Sequence, residues 1–324
     1  MTDRNQRLSN DTVALTPCMV TDTPLLEFDF PALRIGVAEY SEGPTGCTVF
    51  YFPDGVTGAV DIRGGAPGVL QHPWHYYDAI CFAGGSLYGL EAMSGVTAEL
   101  LAQREYAVSF TTIASVGSAI IYDFSRKNSV YPDKALGRAA LRAARSGQFP
   151  LGACGAGASA TVGKGVRLAY RELAGQGGAL RQLGPTKLAV FTVVNAIGAI
   201  VNRQGQVVRG NLNPRTGERH HPLDAVEHRL ANPAAPPTHP GNTTVTLLVT
   251  NQQLHLNALQ QLGRQVHSAM TQAIQPFHTA NDGDTLFTVT TNEVENPALD
   301  AMALGLIGSE LACDAVLNSF TPRS

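Results

Sequence analysis

No uninterrupted apolar run in the 324-residue chain reaches the roughly 18 residues needed to span a bilayer, and the opening MTDRNQRLSNDTV lacks the apolar core of a secretory signal. The cytoplasm is therefore the expected location. Net charge is small, -3, and Lys and Arg form no block or stripe, so there is no electrostatic footprint for nucleic acid or an anionic membrane surface. Cysteines are few and scattered. Cys18, Cys47, Cys81, Cys154 and Cys313 are odd in number and never in C-x-x-C spacing, which argues against a disulfide framework and a zinc site. The histidines are dispersed too: neither His72 with His75 nor the pair His220 and His221 has a carboxylate or third ligand at helical spacing, so no metal or other cofactor is expected. Internal repeats and low-complexity tracts are absent.

With 44% hydrophobic and 15% charged residues the composition is that of a globular chain with ample core material. Residues 1–27 are polar and aperiodic and read as a flexible arm. From Phe28 onward, short β-type runs (ALRIGVAEY, CTVFYF, GAVDIR) alternate with Gly, Pro and Asp punctuation, and a helix rich in small residues is expected over 86–104. AVSFTTIAS and SAIIYDF read as further strands, residues 133–145 as a helix, and LAVFTVVNAIGAIVN as an apolar run broken by one Asn. Residues 211–240, with six prolines, read as an exposed loop. Beyond it, TTVTLLVTN is a strand, 256–274 an amphipathic helix carrying Leu256, Leu259, Val266 and Met270 on one face, 285–291 a strand and 298–317 a helix.

Three segments carry candidate chemistry. CGAGASATVGKG, residues 154–165, suggests a phosphate loop but fails on spacing, because Lys164 is followed by Gly165 instead of Ser or Thr. What remains is a tight turn holding one lysine among small apolar residues, where it would place positive charge beside a nucleophile or have its pKa lowered. The junction Gly241-Asn242-Thr243-Thr244-Val245 has three readings: a glycosylation sequon, a turn into a β-branched strand, or a site where the Thr243 hydroxyl attacks the preceding carbonyl and frees an N-terminal Thr. Such a Thr carries its own base, since an α-amine has a pKa of about 7.7 to 8.0. Buried Asn195 is a candidate oxyanion donor, or a polar residue satisfying a strand end. Asn281-Asp282-Gly283-Asp284-Thr285 reads as a hairpin-type turn, or as two carboxylates that orient a cation such as a new α-amine; it lacks the ligand pattern of a calcium loop.

Taken in order, FDFPALRIGVAEYSEGPTGCTVF, AVDIRGGAPG, AICFAGGSLYGLEA, AIIYDFS, VYPDKALGRAAL, GAGASATVGK, VVRGN, PGNTT and IQPFHTANDGDTLFTVTT closely resemble the nylon-oligomer hydrolase branch of the self-processing β-aminopeptidase-like hydrolases. The likeness runs from Phe28 to the C-terminus. It implies an α/β protein, a four-layer αββα sandwich of N-terminal-nucleophile type. Residues 28–324 would form one catalytic domain, cut into 1–242 and 243–324 between Asn242 and Thr243. By the same resemblance Thr243 is the nucleophile, Lys164 the lysine beside it, Asn195 an oxyanion donor, Asp284 a carboxylate contacting the Thr with Asp282 behind it, and Tyr122 a pocket residue. The wider family's aminopeptidases have Ser where this chain has Thr243, which favours linear amide oligomers, such as those of 6-aminohexanoate, as substrates. Peptidase activity of the same family, a self-cleaving acyltransferase, and a non-catalytic binding protein are the rival readings. The resemblance further implies a closed homo-oligomer, a tetramer of processed heterodimers. This chain departs from the pattern at Gly165-Val166-Arg167 and in the N-terminal arm.

Overall fold

Alternation along the strands sorts the apolar residues into three layers of core. The computed structural model describes residues 7–125, 127–165, 168–231 and 241–320. Its principal strands are β1 (Arg34–Tyr40), β2 (Thr45–Ile62), β3 (Tyr76–Ala83), β4 (Val116–Ile120), β5 (Gln176–Leu183), β6 (Thr186–Asn195), β7 (Thr243–Gln252) and β8 (Thr285–Val294). The helices are α1 (Glu91–Gln103), α2 (Lys134–Arg142), α3 (Pro222–Ala231), α4 (Leu256–Ala269) and α5 (Ala301–Leu317).

The 18-residue β2 holds the architecture together. Its first half pairs with β1 and β3, its second half with β8, and the register shifts between Tyr51 and Val56. Such an irregularity bends a strand and lets one ladder turn from one sheet into another. One continuous sheet thus runs β5-β6-β7-β8-β2-β3-β4, with β1 beside the first half of β2, and folds at β2 into two facing leaves. Their facing sides bring together Phe50, Phe82, Phe149, Phe191, Val193, Val245, Leu247 and Phe287. Phe50 meets Phe191 across the sandwich at 5.4 Å between ring centroids.

Residues of opposite parity face outward. Cys47, Val49, Ala79 and Cys81 meet Val96, Leu100, Leu136 and Leu141 of α1 and α2, whereas Leu188, Val190, Val194 and Leu248 meet Leu262, Val266, Leu311 and Val316 of α4 and α5. The result is the four-layer αββα order that the resemblance implies. Helix α2 starts where Asp133 Oδ1 accepts the Leu136 N–H at 3.0 Å, an N-cap. Helix α5 and its terminal turn, 301–320, are long and apolar enough to cross a membrane by composition alone. Leu304, Leu311, Ala312 and Val316 of that helix are buried in the core, and its Glu310 and Asp314 both pair with Arg203.

Several sequence expectations need correction. AVSFTTIAS is an exposed series of turns: the Ser109 N–H donates to Thr112 Oγ1 at 2.8 Å, so a Ser/Thr turn outcompetes the strand that the β-branched content suggests, and Val108 and Phe110 are exposed. The stretch 211–240 is not simply a loop, since Asn211 is buried and α3 lies within it; residues 232–240, with Pro233, Pro236, Pro237 and Pro240, fall outside the described residues. The expected hairpin at Asn281-Asp282-Gly283-Asp284 instead leads into β8, which runs parallel to β7, with Asp282 bridging Asn242. The polar N-terminal segment lies along the body from Leu8 on: its N–H donates to the Lys127 carbonyl at 3.0 Å, Cys18–Met19 pairs with β1, and Leu25–Glu27 pairs with the strand Gln148–Pro150. Residues 1–6 lie outside the description, as do Val166 and Arg167 beside Lys164.

Candidate active site

Thr243 is the first residue of β7, a central strand with β6 on one side and β8 on the other. Strand parity puts it in series with Val245, Leu247 and Val249, on the face that looks into the gap between the sheets. The register sets Asn195, the last residue of β6, opposite Thr243. On the other flank the loop before β8 closes on the junction: Gly283 N–H donates to the Asn242 carbonyl oxygen at 2.7 Å, and the Thr243 hydroxyl donates to that same oxygen. Asn242, Thr243, Lys164, Asn195, Asp282 and Asp284 are all at most 4% exposed.

Lys164 reaches Asn195 from the glycine-rich turn, where the N–H groups of Lys164 and Gly165 are held by the Ile197 carbonyl at 2.9 and 3.1 Å. Its Nζ donates to the Asn195 carbonyl at 3.0 Å and to Asn195 Oδ1 at 2.9 Å. Burial lowers its pKa to about 7, opposed by the charge of Asp282 and reinforced by Arg171. Near neutral pH the ammonium can therefore give up a proton. Asn195 is fixed by three partners: Oδ1 also accepts the Thr161 N–H at 3.0 Å, and Nδ2 donates to the Tyr122 carbonyl at 2.9 Å. An amide nitrogen has two hydrogens, so one remains for an oxyanion. Tyr122, the expected pocket residue, packs on Gly241, where an added Cβ would come within 3.0 Å of the tyrosine Cβ.

The two carboxylates organise backbone. Asp284 Oδ1 accepts the N–H of Thr244, the residue after the expected nucleophile, at 2.8 Å, and Oδ2 accepts the backbone N–H of His278 at 2.9 Å while facing its Nδ1 at 3.0 Å. It thus anchors the start of β7 without a bond to the Thr243 side chain. Asp282 Oδ1 accepts the Ile197 N–H at 3.2 Å, and Oδ2 accepts the backbone N–H and the hydroxyl of Thr279. Burial, and then the charge of Asp284, raise the Asp282 pKa to about 6.

Sequence reading passed over the residues behind this pair. The segment Arg63-Gly64-Gly65-Ala66 clamps the loop through its backbone: Arg63 N–H donates to the Asp284 carbonyl at 3.0 Å and Ala66 N–H to that of Asp282 at 2.9 Å. Here glycine serves close approach, since a Cβ on Gly64 would lie 2.2 Å from the Asp282 carbonyl oxygen. Behind Asp284, the His278 ring meets that of His267 edge-on at 4.4 Å, and His267 Nδ1 lies 2.9 Å from Asp61 Oδ2, which also accepts from Arg63 Nε at 2.6 Å. Burial holds the His267 pKa below its ordinary value despite Asp61. Nothing in the spacing of these residues marks them as partners, because the packing of α4 on the sheet brings them together. Among the described residues no cluster of three or more His, Cys, Asp or Glu could hold a metal ion.

Comparison with known proteins follows this geometry. A family profile described as peptidase family S58 matches residues 28–321. The chain is 48% identical over 321 residues to a 6-aminohexanoate-oligomer endohydrolase of Agromyces sp., covering 96% of this chain and 90% of that one. A protein of the same description from Paenarthrobacter ureafaciens is likewise 48% identical over 321 residues, with the same coverage. Among solved structures, an L-aminopeptidase D-Ala-esterase/amidase from Ochrobactrum anthropi, described as a variant of the Ntn hydrolase fold, superimposes with a TM-score of 0.59 at 14% identity, covering 92% of this chain and 88% of that one. At that identity the likeness is one of fold.

Proposed function

The chain belongs to peptidase family S58, hydrolases of amide bonds, and from that premise we propose that it cuts its own Asn242–Thr243 bond and uses the freed Thr243 to hydrolyse linear amides of the 6-aminohexanoate-oligomer kind. One observation carries the reading. The carbonyl of Asn242 is held by the Gly283 N–H at 2.7 Å and by the Thr243 hydroxyl, on the strand end that faces Asn195 and its bound Lys164.

In self-cleavage, Thr243 Oγ bonds to the Asn242 carbonyl carbon and the Gly283 N–H stabilises the negative oxygen that forms. Lys164, partly neutral near its pKa of about 7, relays the hydroxyl proton to the departing nitrogen as the C–N bond breaks. The resulting ester is hydrolysed by water, leaving the Asn242 carboxylate and an N-terminal Thr243. In turnover the same oxygen attacks a substrate amide, the α-amine of Thr243 takes its proton and delivers it to the leaving amine, and water releases the acyl group. The spare N–H of Asn195 points to an oxyanion donor, worth on the order of 3 kcal/mol. Asp284 keeps the first turn of backbone in β7 in register through Thr244.

Intact-mass spectrometry tests the proposal. The native chain should give two fragments whose masses sum to the whole plus one water, and a Thr243→Ala chain should stay full length and leave 6-aminohexanoate oligomers uncut. A Thr243→Ala protein that still splits at this bond would sink it.

A further inference from the structure

A cavity of about 1120 Å³ opens beside the junction, reached by Tyr122, Lys164 and Gly241. Three cations, Arg7, Lys127 and Arg171, also line it. Among the described residues none of the three makes an ion pair. Arg7 and Arg171 are only steadied by neutral carbonyls, those of Ser125 and Leu168, each at 3.0 Å. Glu172 and Asp123, acids near Arg171 and on the cavity wall, have other partners. Glu172 is taken by Arg209 and Arg219. Asp123 accepts the Thr45 hydroxyl at 2.6 Å and the Gly85 N–H at 2.7 Å, and burial pushes its pKa up to about 6. The same wall carries the apolar side chains of Phe124, Leu168 and Leu173. Arg171 is near enough to Lys164 to depress the lysine's pKa, so the positive charge extends to the reacting group.

In a chain of net charge -3, three solvent-exposed guanidinium and ammonium groups against one carboxylate, Asp123, leave this cavity net positive and attractive to an anion. We infer that this cavity receives the carboxylate-bearing end of a linear aliphatic amide, the methylenes lying on the apolar wall and the carboxylate meeting Arg7, Lys127 and Arg171. The inference rests on the proposed hydrolysis of linear amides and adds the requirement that the preferred substrate be anionic at one end. Planar guanidinium forks suit a carboxylate, and opposite charge would also speed its capture.

The test compares the linear trimer of 6-aminohexanoate with the same trimer capped as a terminal carboxamide, using fully cut protein at low salt. The expected result is a preference in kcat/KM of roughly fivefold or more for the free carboxylate. Added sodium chloride should shrink that preference, and a Lys127→Gln/Arg171→Gln double variant, which keeps only Arg7 of the three, should reduce it severalfold. Equal efficiency on the two forms in the native protein overturns the inference, as does a preference that is undiminished in the double variant. The native comparison and the salt titration need no variant, so a misfolded double variant leaves both criteria standing. Cut protein that hydrolyses neither form overturns the functional reading and this inference together, whereas equal hydrolysis of both overturns the inference alone.

Discussion

Replacing Gly283 with Ala should stop the chain from cutting itself while leaving it folded. Gly283 does not have a positive φ, so its backbone conformation is open to any residue. What glycine supplies is room. A Cβ there would sit 2.6 Å from Thr243 Oγ1, 2.8 Å from the Ala66 carbonyl oxygen and 3.3 Å from Thr243 Cγ2. The Ala66 oxygen belongs to the clamped 63–66 backbone and cannot swing aside, so relief must come from the Thr243 side chain or from the loop itself. Either movement separates the hydroxyl from its target or the Gly283 N–H from the Asn242 oxygen. Losing one such donor costs about 100- to 1,000-fold in rate, or about 3 kcal/mol. Overpacking would add a stability loss of about 1–3 kcal/mol, visible as a lowered melting temperature. The assay follows the fraction of full-length chain by intact mass after synthesis in a cell-free system at neutral pH, with thermal melting on the same sample. A folded Gly283→Ala chain that splits at the native rate would refute the assignment of this N–H to the scissile carbonyl.

Other outcomes follow from the same geometry. Lys164 has its pKa lowered from 10.5 to about 7 in the folded state, so between those values the unfolded chain binds more protons and native stability rises with pH. Lys164→Met should therefore lose self-cleavage yet melt at a higher temperature than a Thr243→Ala precursor; the gain, on the order of a few kcal/mol, should be full below pH 7 and fade as pH approaches 10.5. A melting difference independent of pH would count against a buried, depressed lysine. Asp284→Asn puts either a donor against the Thr244 N–H or one against His278, and should cost about 1–3 kcal/mol of stability by denaturant titration together with most of the activity. Native stability and turnover in that variant would mean the carboxylate does not hold β7.

How much was legible in the sequence depends on whether a feature is local. The apolar alternation in TTVTLLVTN and LAVFTVVN fixes which residues enter the gap between the sheets, and the Gly-Asn-Thr-Thr junction and the lone Lys164 are visible as oddities of composition. The structure brings Lys164 to Asn195, and Asn195 opposite Thr243. By contrast, the Gly283 N–H cannot be seen in a side-chain pattern, because the donor is backbone and the residue reads as turn punctuation. Asp61 is 206 residues from His267 in sequence and joins it and His278 only through the packing of α4 and the β2 end against β8. Exposed Thr111, Thr112 and Ile113 mimic a strand because β-branching is a weak local preference that a Ser/Thr side-chain turn can override.

The strand order β5-β6-β7-β8-β2 has a consequence for what a cut at residue 242 can release. The smaller piece would hold β7 and β8 side by side, flanked by β6 and β2 of the larger piece, with α4 and α5 laid across the join. Two ladders of backbone hydrogen bonds and a shared apolar layer would then replace one lost covalent bond. The pieces would be interleaved, unable to part without dismantling the sheet, and the new terminus would be the end of an interior strand instead of a loose tail. A chain built this way would sever itself at the start of an interior strand and remain one particle.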